Sequence, residues 1–334
     1  MRSFDHIRPP SLPDAALAAR DAAVPSAFLA GGTTLLDLMK LGVLQPQRLI
    51  DLGALRADFG QVRIERQALR LGAFARMAEV AAHPEVIADY PVIAQSLALA
   101  ASAQLRNMAT LGGNVLQRTR CPYFRDPSWS ACNRRMPGSG CAAIDGANRG
   151  HAVLGASEAC IATYPGDFAQ ALVALEASVV LAGPRGRREI PFAALHLRPR
   201  STPHLETGLR AGEIIVEFIV PARPWTRRSL YLKIRDRQSY EFALASAAVA
   251  LDLEDGVVRD ARIALGGVAS VPWRSQAAED ALRGIRLDGA AAENAARAAF
   301  AGAVPRTHNG FKIALGQATL VRALLQLASL EITA

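Results

Sequence analysis

Phe28-Leu-Ala-Gly-Gly-Thr-Thr-Leu-Leu-Asp37 is the stretch on which the reading of the fold turns. Phe28, Leu29 and Ala30 make a short apolar strand and Gly31 and Gly32 a bend; Leu35, Leu38 and Met39 then recur at helical spacing as far as Gly42, where a helix can stop. A strand that runs through a glycine bend into a helix presents free backbone N–H groups at the positive end of the helix dipole. Such a place attracts phosphate, and Thr33 and Thr34 add hydroxyl donors. A plain tight turn is the competing reading, because the glycine spacing is neither that of a dinucleotide-binding turn nor that of a P-loop. Thr110-Leu-Gly-Gly-Asn114 is a second bend of the same kind, and the two could close on a pyrophosphate from both sides.

Outward from these bends, strands and helices are mixed. Residues 48–52 read as the next strand, 62–64 and 69–71 as a hairpin about Arg66-Gln67, and helices fall near 75–82 and 92–103. After Asn114, periodicity disappears until about Asp167. That interval of roughly fifty residues is too long for an ordinary connection, and such a loop is either functional or disordered. Residues 168–175 read as a helix, and 178–181 and 214–220 as strands. Pro221 and Pro224 mark a boundary near 221–228. Beyond it come a strand at 230–234, a hairpin of 247–253 and 257–265 about Asp255-Gly256, and helices near 275–283, 290–301 and 311–330. The class is α+β, and 334 residues are more than one core usually organises.

Composition excludes several classes. With 51% hydrophobic and 20% charged residues the chain is globular. Its longest nearly unbroken apolar run, 242–251, is about half of the roughly 20 residues a membrane helix needs. The first thirteen residues hold two arginines and three prolines and no apolar stretch of the secretory kind, so export, if any, is expected to depend on another chain. Net charge of +8 permits nucleic acid, an anionic cofactor or an acidic partner. Residues 118–150 hold six arginines against Asp126 and Asp145, a net +4, and so carry half of that excess. An acidic partner subunit could dock on such a stretch.

The four cysteines, Cys121, Cys132, Cys141 and Cys160, are spaced C-x10-C-x8-C-x18-C. Two disulfides would need an oxidising compartment and usually a small domain. A zinc site usually offers a close C-x2-4-C pair, which is missing here. A [4Fe-4S] cluster accepts ligands from scattered positions on a loop, and nearby arginines suit its negative charge. Tyr123, Phe124 and Trp129 would shield such a cluster. His151 reads as a solvated loop side chain, with a hydrogen bond near the cluster as the alternative.

Phe28 to Asp37, Ala109-Thr-Leu-Gly-Gly-Asn114 and Tyr164-Pro-Gly-Asp-Phe168 resemble the FAD-binding subunit of the molybdenum hydroxylase (xanthine dehydrogenase) family, and Ala264-Leu-Gly-Gly-Val-Ala-Ser-Val-Pro-Trp-Arg274 resembles the signature of its second domain. Arg120-Cys-Pro-Tyr-Phe-Arg125, Cys132-Asn, Pro137-Gly-Ser-Gly-Cys-Ala142 and His151-Ala-Val-Leu-Gly155 are similar to the insert of cluster-bearing flavin subunits of periplasmic aldehyde oxidoreductases. The resemblance implies a vanillyl-alcohol-oxidase-like (PCMH-type) FAD domain at 1–222, with subdomains at about 1–54 and 55–222 and a [4Fe-4S] insert at 118–162. It implies a C-terminal α+β domain of the CO-dehydrogenase-flavoprotein type at 228–334. Ala27, Phe28, Leu29, Ala30, Gly31, Gly32, Thr33, Thr34 and Leu35, with Thr110, Gly113 and Asn114, would hold the FAD pyrophosphate. Asp167 would contact the flavin, and Lys233 would reach the isoalloxazine or else be a solvated strand lysine. Cys121, Cys132, Cys141 and Cys160 would ligate the cluster.

By the same resemblance the chain is the electron exit of a heterotrimer. A molybdopterin-binding large subunit oxidises an aldehyde, a [2Fe-2S] small subunit relays the electrons, and FAD here passes them to dioxygen, a quinone or a redox protein, with no residue of this chain catalytic. Export to the periplasm with a signal-bearing partner is implied, cytoplasmic residence being the alternative. The competing readings are the flavin subunit of a hydroxybenzoyl-CoA-reductase-like enzyme and a zinc-stapled basic nucleic-acid-binding protein.

Overall fold

A computed structural model describes residues 1–20 and 23–330; residues 331–334, the end of the expected C-terminal unit, lie outside the described residues. Three sheets divide the chain. β1 (Asp5–Ile7), β2 (Ser26–Leu29) and β3 (Arg48–Asp51) form a parallel sheet in the order β1-β3-β2. Parallel neighbours need crossovers, and the helices Leu12–Ala18 and Leu35–Lys40 lie in them. The second sheet is antiparallel, β4 (Val62–Ile64), β5 (Ala68–Gly72), β6 (Ser178–Gly183), β7 (Gly186–Pro191) and β8 (Ile214–Pro221) in the order β4-β5-β8-β6-β7. Strands from before and after the long loop share this sheet, so both ends of the loop are anchored to one body.

The third sheet is β9 (Ser229–Ile234), β10 (Ala245–Glu254), β11 (Val257–Gly266) and β12 (Trp273–Arg274), antiparallel in the order β12-β11-β10-β9. Its hairpin turns at Asp255 and Gly256, whose φ of 49° and 78° are both left-handed, as a two-residue turn of this hand requires. The apolar run at 242–251 explains itself here. Side chains alternate along β10: Ala247, Val249 and Leu251 join the core under the C-terminal helices, while Ala248 and Ala250 join the core of the first two sheets. A strand buried on both faces needs no polar alternation. No helix among the described residues is long and apolar enough to cross a membrane.

Two local expectations change. The helix expected at 92–103 is two helices, Pro91–Ala98 and Ala103–Met108. The break passes through Ala101 at φ 49°, and Ser102 starts the second helix by accepting from the Leu105 N–H. The second glycine bend forms the helix Leu111–Val115, with Thr110 Oγ1 accepting from the Gly113 N–H at 3.1 Å. β7 was not anticipated, since Arg187, Arg188 and Glu189 lie on an edge strand where charge is normal.

The helix Gln276–Leu282 is tied to the third sheet by Glu279, which is 1% exposed. Its carboxylate accepts from Arg274 Nε and Nη2 at 2.9 and 3.0 Å and from the Ile263 N–H at 3.0 Å. Removing one partner of a buried pair strands the other. Glu279→Ala should cost about 3 kcal/mol, read as a lower midpoint in thermal or denaturant unfolding; a midpoint equal to wild type contradicts the assignment.

Candidate cofactor sites

The two glycine bends meet. A Cβ on Gly31 would lie 2.3 Å from the Met108 carbonyl oxygen and 2.9 Å from Ala109 Cα, so only glycine lets the first bend rest on the backbone that leads into the second. Gly112 packs on the other side, its N–H donating to the Ala73 carbonyl at 2.8 Å. Around this junction lie two cavities. The first, about 240 Å³, is lined by Phe28, Ala30 to Leu35, Thr110 and Gly113 among others. The second, about 450 Å³, shares Thr33 and Thr34 with the first and adds Asn114, Arg120, Arg125 and Asp167. Ala27 and Leu29 line neither; they fall on the opposite side of β2 from Phe28, where only their backbone is available to a ligand.

The residues suit a polar ligand with an extended shape. Asn114 Oδ1 is buried with no hydrogen-bond partner, at a position whose residue lines the second cavity. Buried polar atoms are normally satisfied, so a group that donates to this oxygen completes the site. Asp167 also lines this cavity and belongs to a buried ion pair. Asp167, 4% exposed, accepts from Lys233 Nζ at 2.7 Å and from the Tyr231 hydroxyl at 2.5 Å. Burial pushes its carboxyl above the usual range, and Lys233 and Tyr231 oppose that rise. Lys233 also donates to the Leu99 carbonyl at 3.1 Å, and its side chain is 1% exposed. It is therefore not a solvated lysine, nor does it line the cavity; its ammonium is committed to Asp167, which does. Tyr231 is a residue that the sequence reading does not single out. Its place two residues before Lys233 on a strand puts both side chains on one face, the signal by which it could have been found.

The cysteines converge as well. All four are free and wall one cavity of about 10 Å³, together with Tyr123, Phe124 and Arg134. Cys132 and Cys141 face each other across an antiparallel bridge, and Cys160 sits in a tight turn with Ser157. Cys160 Sγ accepts from Arg134 Nε at 3.3 Å and from the Ala162 N–H at 3.5 Å. Its thiol is pushed down, first by the hydrogen bond from Cys141 and then, against burial, by Arg134. Burial pushes the Cys121 thiol up to about 11. Among the described residues no three His, Cys, Asp or Glu side chains meet at a point as a single ion needs. A cubane spreads its four ligands over separate irons, and four free thiols around one cavity are the donor set it needs.

His151 is 4% exposed, with Nε2 3.2 Å from Cys121 Sγ, and is thus no solvated loop residue. Phe124 is fully buried, while Trp129, half exposed, lies edge-on to Tyr123 at 4.9 Å rather than on the cavity. The arginines expected to form a docking face are each paired within the chain, the exposed Arg149 included. Arg125 and Arg120 hold Asp37 at 2.7 and 3.2 Å, Arg118 and Arg134 share Glu206, Arg149 holds Asp236, and Arg135 donates to the Asp126 carbonyl. Asp37 lies on the helix that follows the first glycine bend, and Leu38 on that helix packs with Phe124 and Cys132. One short helix thus touches both sites.

Residues 2–223 match the family of the FAD binding domain in molybdopterin dehydrogenase, and residues 230–327 match the CO dehydrogenase flavoprotein C-terminal domain. The chain belongs to this family. As a molybdopterin-dehydrogenase flavoprotein it is an FAD-binding oxidoreductase subunit. It is 45% identical to the aldehyde oxidoreductase FAD-binding subunit PaoB of Escherichia coli (strain K12), over 98% of both chains. It is 28% identical to the carbon monoxide dehydrogenase medium chain of Hydrogenophaga pseudoflava, over 96% of both. A solved carbon monoxide dehydrogenase structure from Hydrogenophaga pseudoflava matches with a TM-score of 0.75 at 28% identity, over 98% of this chain and 97% of that one.

Because a methyl group at Gly31 would separate the two bends, Gly31→Ala should purify with little or no FAD while the wild-type flavoprotein carries it. Absorbance of released flavin per chain measures this, with circular dichroism confirming the fold. A full flavin complement would contradict the close contact.

Proposed function

We propose that the chain is the FAD- and [4Fe-4S]-bearing electron-transfer subunit of a heterotrimeric molybdenum aldehyde oxidoreductase. Its partners are a molybdopterin-binding large subunit and a [2Fe-2S] small subunit, and it delivers the electrons of aldehyde oxidation to dioxygen, a quinone or a redox protein. The 45% identity to an aldehyde oxidoreductase FAD-binding subunit supports the substrate class. The observation that carries the second cofactor is the enclosure of a single cavity by four free thiols, one helix away from the glycine bends. Export to the periplasm with a signal-bearing partner belongs to the same proposal.

Bound in these sites, the two groups supply one-electron redox chemistry. The chain's own residues supply position and electrostatics. Gly31 to Thr34 and Thr110 to Asn114 would hold the FAD diphosphate, with Thr33, Thr34 and backbone N–H groups as donors. Asp167, fixed by Lys233 and Tyr231, lies in the wall of the larger cavity, and that neutral pair adds no net charge there. Cys121, Cys132, Cys141 and Cys160 would hold the iron. Arg134 and the Ala162 N–H, already directed at the Cys160 sulfur, stabilise its thiolate form. Phe124 and Tyr123 exclude water from the thiols.

The test is iron, acid-labile sulfide and flavin analysis on the co-purified complex. The wild type should contain about four iron and four sulfide per FAD beyond the partner's share. Cys132→Ser should lose them and keep FAD. Zinc in place of iron, or a serine variant with unchanged iron, would defeat the proposal.

A further inference from the structure

We propose that His151 is the hydrogen-bond donor that tunes the iron-sulfur cluster at Cys121, and that Lys312 of the C-terminal domain is the positioning residue that holds it there; the inference rests on the cluster reading given above. His151 is buried although Arg149 and Gly150 just before it are exposed. Its Nε2 lies 3.2 Å from Cys121 Sγ, while Nδ1 is buried with no partner. A neutral imidazole carries one N–H. With no acceptor at Nδ1, that proton belongs on Nε2, where a ligating sulfur accepts it.

The imidazole is held from behind. Lys312 is fully buried, and among the described residues its ammonium meets three carbonyl oxygens and no carboxylate: Gly150 at 3.1 Å, His151 at 3.2 Å and Gly267 at 2.5 Å. A buried cation of this kind is costly unless its hydrogen bonds are complete, and completing them pins the backbone of His151. Asn309 donates to the Ala152 carbonyl at 3.2 Å. Asn148 accepts from the His308 N–H at 2.9 Å and donates to the Ala143 and Ile144 carbonyls, just past Cys141. The start of the helix Phe311–Ala328 and the turn before it therefore grip the cluster loop beside two of its four cysteines. N–H donation to a ligating thiolate, with a cation close behind, favours the reduced cluster and raises its potential.

The co-purified complex tests this through the midpoint potential of the cluster, followed by electron paramagnetic resonance during redox titration, with iron and FAD content as controls. His151→Leu should keep FAD and iron and shift the midpoint to more negative values. His151→Gln, whose amide N–H can take the place of Nε2, should restore most of the wild-type value. Lys312→Met should shift the midpoint the same way or shed iron, with FAD retained. An unchanged midpoint in fully loaded His151→Leu overturns the inference, as does a His151→Gln midpoint as low as that of the leucine variant. If His151→Leu sheds its iron, His151→Gln at the wild-type midpoint supports the inference and a lowered one overturns it. A wild-type complex without the additional iron would overturn the cluster reading itself, and this inference with it.

Discussion

The approach of Gly31 to the Met108 carbonyl is the contact around which the rest is arranged. It brings together two segments nearly eighty residues apart and makes one junction of them. The parallel sheet supplies the first segment and the helices before the long loop supply the second. Without that contact the cavities on either side would not share Thr33 and Thr34. No side-chain bond could replace it, because the backbones themselves must touch, and only a residue without Cβ allows this.

The same region organises the loop that follows. Asp37 draws Arg120 and Arg125 onto the helix behind the first bend, and their guanidinium groups hold its carboxyl below the usual carboxylate range. Leu38, next along that helix, buries Phe124 and Cys132. Farther on, the loop is attached to the C-terminal domain: the Val153 and Leu154 N–H groups donate to the Val268 carbonyl at 2.9 and 3.1 Å. A segment with almost no regular secondary structure is thus ordered by contacts at its two flanks.

Much of this could be read in the sequence because the signals were local. The strand, bend and helix at 26–40 follow from apolar spacing and paired glycines, and the hairpin at Asp255-Gly256 follows from a dipeptide that suits a left-handed two-residue turn. The four cysteines were legible as a group for the same reason, lying within forty residues of one another. What escaped depends on contacts distant in sequence. His151 looks like any polar loop residue until a lysine 161 positions later is seen to hold its carbonyl. Lys233 and Tyr231 gain their role only when β9 packs beside Asp167. The arginines looked like a basic face because Glu206, Asp236 and Asp37, which neutralise them, come from outside the stretch.

Those three carboxylates lower the charge of the 118–150 stretch from +4 to +1. In the folded molecule its cations become short closed dipoles, whose potential fades within about one Debye length, roughly 8 Å at physiological ionic strength. Of the chain's net +8, +7 therefore arises from residues outside this stretch and its three partners. A protein approaching the cysteine-bearing segment meets paired charges, so recognition there relies on shape and short-range contact more than on long-range attraction.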